Sequence, residues 1–364
     1  MSPQIIPRPG ILDISPYVGG DSKIAGVDRI IKLASNEGPF GPSPLAIEAM
    51  KTAASSAHRY PDGGALALRE AIAKRFGLDV ERIVCGAGSD QLLSLLTYSY
   101  AGPGDEVLYT EHGFLIYPIA AKAAGATPVK APETNLRTDV DALLDAVTDK
   151  TRIVFIANPN NPTGTYLSHA ELTALRAGLP DDVLLVIDAA YAEFVGRNDY
   201  TPGTELVDAG QNTVMTRTFS KLFALGGLRV GWGYFPSEIA DVLNRVREPF
   251  NVSVMGQAAG IASMQDVAFQ QKCFEHNLSW IAKTEAALHD LGIETTASVG
   301  NFVLARFGEV STAERADAFL RERGIIVRRV ASYGLPDCLR ISMGTADEME
   351  AFLATMRAFM GASQ

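Results

Sequence analysis

A chain of 364 residues is longer than one hydrophobic core usually serves, so two domains are expected. Its 47% hydrophobic and 20% charged residues describe an ordinary folded protein, and a formal net charge of −10 argues against a broad nucleic-acid footprint. Cys85, Cys273 and Cys338 form no CxxC pair and the five histidines no HExxH pattern, so neither a disulfide framework nor a metal site is expected.

The opening MSPQIIPRPG lacks the apolar core of a signal peptide, and no run nears the ~18 apolar residues of a membrane span. A cytoplasmic protein that engages no membrane is expected. Residues 1–42 are rich in proline and glycine, yet too apolar for a free tail. They read as an arm laid over another surface, such as a partner subunit. Ser43 then stands as N-cap before Pro44 and a short helix. Arg59-Tyr60-Pro61-Asp62-Gly63-Gly64 makes a turn, and a second helix runs to about Phe76.

From Arg82 to about Phe235, short β-rich runs alternate with helical stretches. Strands are expected at 83–85, 106–109, 153–157, 183–187, 213–216 and 230–235. Such short, nearly all-apolar strands imply an α/β domain over residues 43–250, with a mostly parallel sheet covered on both faces. Residues 251–364 read as connecting helices, one long at 266–291, and a small α+β domain. Its strands are expected at 302–306, 325–328 and 339–342, its helices at 311–323 and 345–360.

Ligands gather at the carboxyl ends of parallel strands, and several polar motifs fall there. Gly86-Ala87-Gly88-Ser89-Asp90-Gln91 joins a strand to a helix, where backbone N–H groups suit a phosphate. Ser89 would add a hydroxyl, and Asp90 its backbone N–H and a helix cap. Asn158-Pro159-Asn160-Asn161-Pro162-Thr163-Gly164 is a stiff turn from which Asn161 can donate to a phenolate oxygen. Asp188 ends an apolar strand and needs a cationic partner, either a protonated pyridine nitrogen or Arg217. Tyr191 lies three residues on, and Phe114 can stack on a ring. Lys221 follows Thr218 and Ser220 and precedes Gly226-Gly227-Leu228-Arg229. A lysine nucleophile beside hydroxyls and a guanidinium that suit a phosphate points to pyridoxal phosphate held as a Schiff base.

Taken in order, Gly88-Ser89-Asp90, Phe114-x-x-Tyr117, the Asn158–Gly164 turn, Asp188-x-x-Tyr191, Ser220-Lys221, Gly227-Leu228-Arg229 and Cys338-Leu339-Arg340-Ile341-Ser342 resemble the fold-type I pyridoxal-phosphate aminotransferases across nearly the whole chain. The resemblance implies Lys221 as the lysine that holds the cofactor, Asp188 as partner of its pyridine nitrogen, and Asn161 and Tyr191 on its phenolic oxygen. Phe114 would cover the ring, with Ser89, Asp90, Thr218, Ser220 and Arg229 around the phosphate. The stacking residue is often tyrosine in the family, so the hydroxyl is lost here. Within the family, the Arg8–Tyr17 segment, the Arg59-Tyr60-Pro61-Asp62 turn and Arg328-Arg329-Val330 to Arg340 are similar to the histidinol-phosphate aminotransferases. That group implies a homodimer in which Tyr60 reaches the other subunit's cofactor, and Tyr17, Arg328 and Arg340 facing the substrate. The implied substrates are histidinol phosphate and 2-oxoglutarate. Alternatives are an aromatic amino-acid or prephenate aminotransferase, a threonine-phosphate decarboxylase, or the aminotransferase-like sensor half of a transcription regulator. The last is disfavoured by the acidic chain and by the absence of a DNA-binding domain ahead of the motifs.

Overall fold

The computed structural model describes residues 5–17, 19–26 and 29–362. Met1–Gln4, part of the expected arm, and residues 363–364 at the end of the expected small domain lie outside the described residues. A short strand, β1 (Ile31–Leu33), precedes helices α1 (Pro44–Ala54) and α2 (Leu66–Phe76). The Ser43 hydroxyl caps α1 as expected, accepting from the Ala46 N–H at 3.1 Å. Strands and helices then alternate through β2 (Ile83–Gly86), α3 (Ser89–Tyr100), β3 (Glu106–Thr110), α4 (Ile116–Ala124) and β4 (Thr127–Ala131). A hairpin of β5 (Glu133–Thr134) and β6 (Arg137–Thr138) leads through α5 (Val140–Asp145) to β7 (Thr151–Ala157), α6 (His169–Gly178) and β8 (Leu184–Asp188). After α7 (Thr204–Ala209) come β9 (Thr213–Thr218) and β10 (Gly231–Tyr234). Helices α8 (Ser237–Val246), α9 (Val254–Gln265) and α10 (Val267–Asp290) connect to β11 (Glu294–Thr295), β12 (Phe302–Arg306), α11 (Val310–Arg321), β13 (Ile325–Val330), β14 (Leu335–Ser342) and α12 (Ala346–Ala362).

The large sheet has the order β2-β10-β9-β8-β7-β3-β4. Neighbours from β9 to β4 pair in parallel, and β10 runs antiparallel between β2 and β9. Side chains of its central strands alternate between two hydrophobic layers. Ile153, Phe155, Leu184 and Val186 pack on one side; Val154, Ile156, Leu185 and Ile187 pack on the other. A strand buried on both faces has no polar face to show, which is why these runs read as continuously apolar. The exception is the edge strand β4, which no run predicted. Its Thr127, Pro128 and Lys130 are only partly covered, so it lacks the apolar signature of its neighbours.

The small sheet has the order β1-β13-β14-β12-β11. Its edge corrects the arm expectation. Ile31 pairs in parallel with Ile325, and Leu33 is buried beside Ile325, Ile341 and Phe352, so residues 31–33 form a strand of this sheet. Farther upstream the chain lies on α4, where Arg8 donates to the Ala123 carbonyl at 2.5 Å and Lys122 to the Asp13 carbonyl at 3.0 Å.

Candidate active site

A cavity of about 480 Å³ opens where β8 and β9 end, with Arg328 of β13 and Arg340 of β14 also on its wall. Lys221 stands in it, three residues beyond the end of β9. Every predicted site residue lines this cavity except Tyr60. Tyr60 is 82% exposed and stacks on Phe250 with ring centroids 4.5 Å apart. A larger groove of about 800 Å³, between the β5–β6 hairpin and β12, gathers no comparable chemistry. There Arg137 is paired with Glu171 and Arg306 with Asp337.

Asp188 is 4% exposed at the last position of β8. The Tyr117 hydroxyl donates to its Oδ2 at 3.0 Å, while Oδ1 is buried with no partner among the described residues. Burial pushes this carboxyl up to about 7, against the opposing pull of the Tyr117 hydrogen bond. The alternative partner, Arg217, is corrected by the register. Thr216 sits opposite Asp188, so the side chain of Arg217 leaves from the other face of the sheet. There it pairs with Glu193 at 2.8 Å and lies over the Phe76 ring at 4.2 Å. The orphaned oxygen of Asp188 therefore calls for an N–H donor inside the cavity, and a protonated pyridine nitrogen meets that need.

The side of the cavity at the start of α3 is built on glycine. A Cβ on Gly88, whose φ is +82°, would meet the Arg229 guanidinium at 2.3 Å, and one on Gly231 would meet the Ser89 backbone nitrogen at 2.2 Å. Both strand-end loops thus close tightly around the start of α3, whose free N–H groups and dipole favour an anion. Arg229 donates to the Ser220 hydroxyl at 3.4 Å and to the Gly226 carbonyl at 3.0 Å. The Thr218 hydroxyl oxygen accepts the Ser220 N–H at 3.1 Å, which leaves its proton to donate. Asp90 departs from expectation. Its carboxylate does not cap α3 but takes a hydrogen bond from Arg229 at 3.2 Å, which orients the guanidinium without capping the helix. Gln91 does the nearby loop's work, accepting the Ala87 N–H at 2.7 Å.

Of the three asparagines in the 158–164 turn, two are consumed by the loop itself. Asn158 exchanges both amide hydrogen bonds with Leu167, and Asn160 donates to the His112 carbonyl and the Thr163 hydroxyl. Asn161 lines the cavity, and its Oδ1 accepts a hydrogen bond from Arg340. With the oxygen so held, its NH₂ is the group left to donate.

Arg340 is 6% exposed and forms no ion pair with a carboxylate among the described residues. Its other donor goes to the Ala34 carbonyl at 3.0 Å, its Nε is buried without a partner, and the Phe302 ring lies 5.4 Å away. Arg328 stands directly opposite it across β13 and β14. Both guanidinium groups line the same cavity. Phe114 lies edge-on to Tyr117 at 6.0 Å, and Tyr17, 56% exposed, lines the cavity.

Two site residues were not predicted. Tyr117 carries Asp188, and Asn36 donates to the Tyr191 hydroxyl at 2.8 Å. No local signal marked Asn36 as a site residue, although asparagine tolerates the left-handed backbone found there, φ +54°.

A family model described as aminotransferase class I and II matches residues 28–356. A histidinol-phosphate aminotransferase of Paramagnetospirillum magneticum is 60% identical over 358 residues, covering 98% of this chain and 99% of that protein. One from Rhodospirillum rubrum is 57% identical over 97% of this chain and 96% of that protein. Among solved structures, the histidinol-phosphate aminotransferase of Sinorhizobium meliloti, in complex with pyridoxal-5'-phosphate, superposes with a TM-score of 0.90. It is 27% identical in sequence, and the match covers 99% of each chain.

Proposed function

The chain belongs to the class I and II aminotransferases, and from that membership we propose that it moves the amino group of L-histidinol phosphate to 2-oxoglutarate. The products are imidazole-acetol phosphate and L-glutamate, a step of histidine biosynthesis. The observation that carries the substrate reading is Arg340, buried without a carboxylate partner among the described residues, opposite Arg328 and in one cavity with Lys221. Both substrates are anions, one a phosphate ester and one a dicarboxylate. A planar guanidinium can pair with either group, where an ammonium offers only a compact charge.

The residues present fit pyridoxal phosphate. Asp188 Oδ1 would accept the ring N–H, Asn161 and Tyr191 would donate to the phenolic oxygen, and Phe114 would cover the ring. The α3 N-terminus, Ser89, Thr218, Ser220 and Arg229 would hold the phosphate, with Asp90 orienting Arg229. When bound, that cofactor supplies an aldehyde for amine exchange and a cationic ring that accepts the electron pair left on Cα. Lys221 Nζ takes the proton from the substrate's Cα and, as the resulting ammonium, gives it back. Amino donor and acceptor react in turn at the same site. The exposed Tyr60–Phe250 pair lies outside this chain's own cavity, which supports a homodimer in which Tyr60 serves the other subunit's site. Among the described residues no helix is long and apolar enough to cross a membrane, and we place the enzyme in the cytoplasm with the rest of amino-acid synthesis.

The test is kcat/KM for histidinol phosphate, phenylalanine and threonine phosphate with 2-oxoglutarate as acceptor. Histidinol phosphate should lead by at least about tenfold, the worth of one good polar contact. Higher values for phenylalanine would replace this reading with the aromatic one.

A further inference from the structure

Asn36 is 1% exposed and sits in left-handed backbone between β1 and α1. A buried non-glycine residue keeps that conformation only where its surroundings hold it. Its backbone N–H donates to Ser342 Oγ at 2.8 Å, and its carbonyl accepts from the Asn301 amide at 3.0 Å. Its side-chain Oδ1 accepts the Ser342 hydroxyl proton at 2.9 Å, and its Nδ2 lies 2.8 Å from the Tyr191 hydroxyl oxygen.

This chain of bonds has one consistent direction. The Ser342 oxygen accepts the Asn36 backbone N–H, and its own proton goes to Asn36 Oδ1. The carbonyl end of the amide is held there, and the NH₂ end, which only donates, faces Tyr191. The Tyr191 oxygen thus receives from Asn36 and must send its own proton elsewhere. Tyr191 is 4% exposed, with the Phe302 ring edge-on at 5.2 Å, and it lines the cavity with Lys221 Nζ 5.6 Å from its ring centroid. The cavity is where its hydroxyl is left to point. A hydroxyl that accepts one hydrogen bond also donates a stronger second one.

We propose that Asn36 is a positioning residue of the transamination site: it commits the Tyr191 hydroxyl to donate into the cavity, with Ser342 fixing which end of the Asn36 amide faces it. The group that receives this proton is the phenolic oxygen of pyridoxal phosphate, so the assignment rests on the function proposed above.

The test is a double-mutant cycle read from the pH midpoint of the cofactor's visible absorbance in the loaded enzyme, a quantity separate from turnover. Asn36→Gly suits the left-handed backbone and keeps both main-chain bonds. Weakening a donor to the phenolic oxygen makes the chromophore hold its proton to higher pH, so the midpoint should rise by about 0.5–1 pH unit. Tyr191→Phe should raise it at least as far. In the Tyr191→Phe background, Asn36→Gly should add nothing. Ser342→Ala, which removes the lock on the amide together with the acceptor of the Asn36 backbone N–H, should give a smaller rise that also vanishes in that background. Equal shifts with and without the Tyr191 hydroxyl, or no shift in either single variant, would overturn the assignment while leaving the functional reading in place. Failure of the native protein to take up pyridoxal phosphate would overturn both.

Discussion

Asp188 and Glu193 are buried carboxylates near the end of the same strand, yet the chain treats them in opposite ways. Glu193 accepts a hydrogen bond from Arg217 Nε at 3.1 Å and pairs with the same guanidinium at 2.8 Å, and Arg217 in turn lies over the rings of Phe76 and Trp232. Asp188 has one tyrosine hydroxyl and no cation at ion-pair distance among the described residues. The arginines repeat the contrast. Arg217 is neutralised by Glu193, whereas Arg340 finds only neutral oxygens. On one face of the sheet, buried charges are matched within the chain and tie the turn after Tyr191 to β9. On the cavity side they have no charged partner among the described residues. Burial of unmatched charge lowers stability, so a fold that keeps it is holding it for a ligand.

The sharpest way to break this contrast is at Lys221, the one amine among the described residues that line the cavity. Lys221→Ala should lower transamination by at least about 10³-fold, because both the nucleophile and the proton carrier are gone. The protein should stay folded and still bind pyridoxal phosphate noncovalently, as judged by circular dichroism and absorbance. Turnover near the native rate would end the assignment of the cavity.

A second experiment exchanges the two arginines. Arg217→Met leaves Glu193 buried and unpaired, which should cost about 3–5 kcal/mol of stability. Arg340→Met leaves no carboxylate behind, so thermal stability should hold or rise while activity falls. Arg340→Lys, which keeps the charge but loses the planar fork, should lose roughly 2–4 kcal/mol in kcat/KM, about 30- to 1000-fold, for histidinol phosphate and 2-oxoglutarate alike. Chemical denaturation and steady-state kinetics on the three variants decide it. Arg217→Met with native stability, or Arg340→Lys with native kinetics, would erase the difference between the two faces.

How much of this was legible in the chain follows from how far apart the partners lie. Lys221, Asp188, the Gly86–Gln91 junction and the 158–164 turn each announce their chemistry within a few residues at a strand's end, and the strands themselves read clearly because both of their faces are buried. Asn36 gave no such signal. Its partners Tyr191 and Ser342 are 155 and 306 positions away, and nothing local says that an asparagine in a proline- and glycine-rich stretch will reach them. Tyr117 was recognised as part of a motif but not as the donor to Asp188, since an aromatic on an apolar helix reads as core. It is core as well, stacked on Phe155 at 4.6 Å. The partner of Asp188 stayed open between a ring nitrogen and Arg217 because only the β8–β9 register assigns the face from which Arg217 leaves.

The mildest test concerns the proton on Asp188 in the cofactor-free protein. Its carboxyl is pushed up to about 7 from an ordinary value of 3.8 in the unfolded chain. Between those values the folded state binds more protons than the unfolded state, so this residue makes stability fall as pH rises through that window. Asp188→Asn has no proton to lose and can still accept from Tyr117. Its stability relative to the native chain should therefore grow by about 2 kcal/mol from pH 5 to pH 7 and level off above pH 8, since each unit of displacement is worth about 1.4 kcal/mol. Pyridoxal phosphate should reverse the advantage, because an ionised Asp188 gains a cationic partner that asparagine cannot match. Melting temperatures with and without cofactor at pH 5, 7 and 8 measure both effects. A difference between the two proteins that stayed the same at every pH would mean that Asp188 is already ionised in the empty site, and the contrast with Glu193 would narrow to geometry alone.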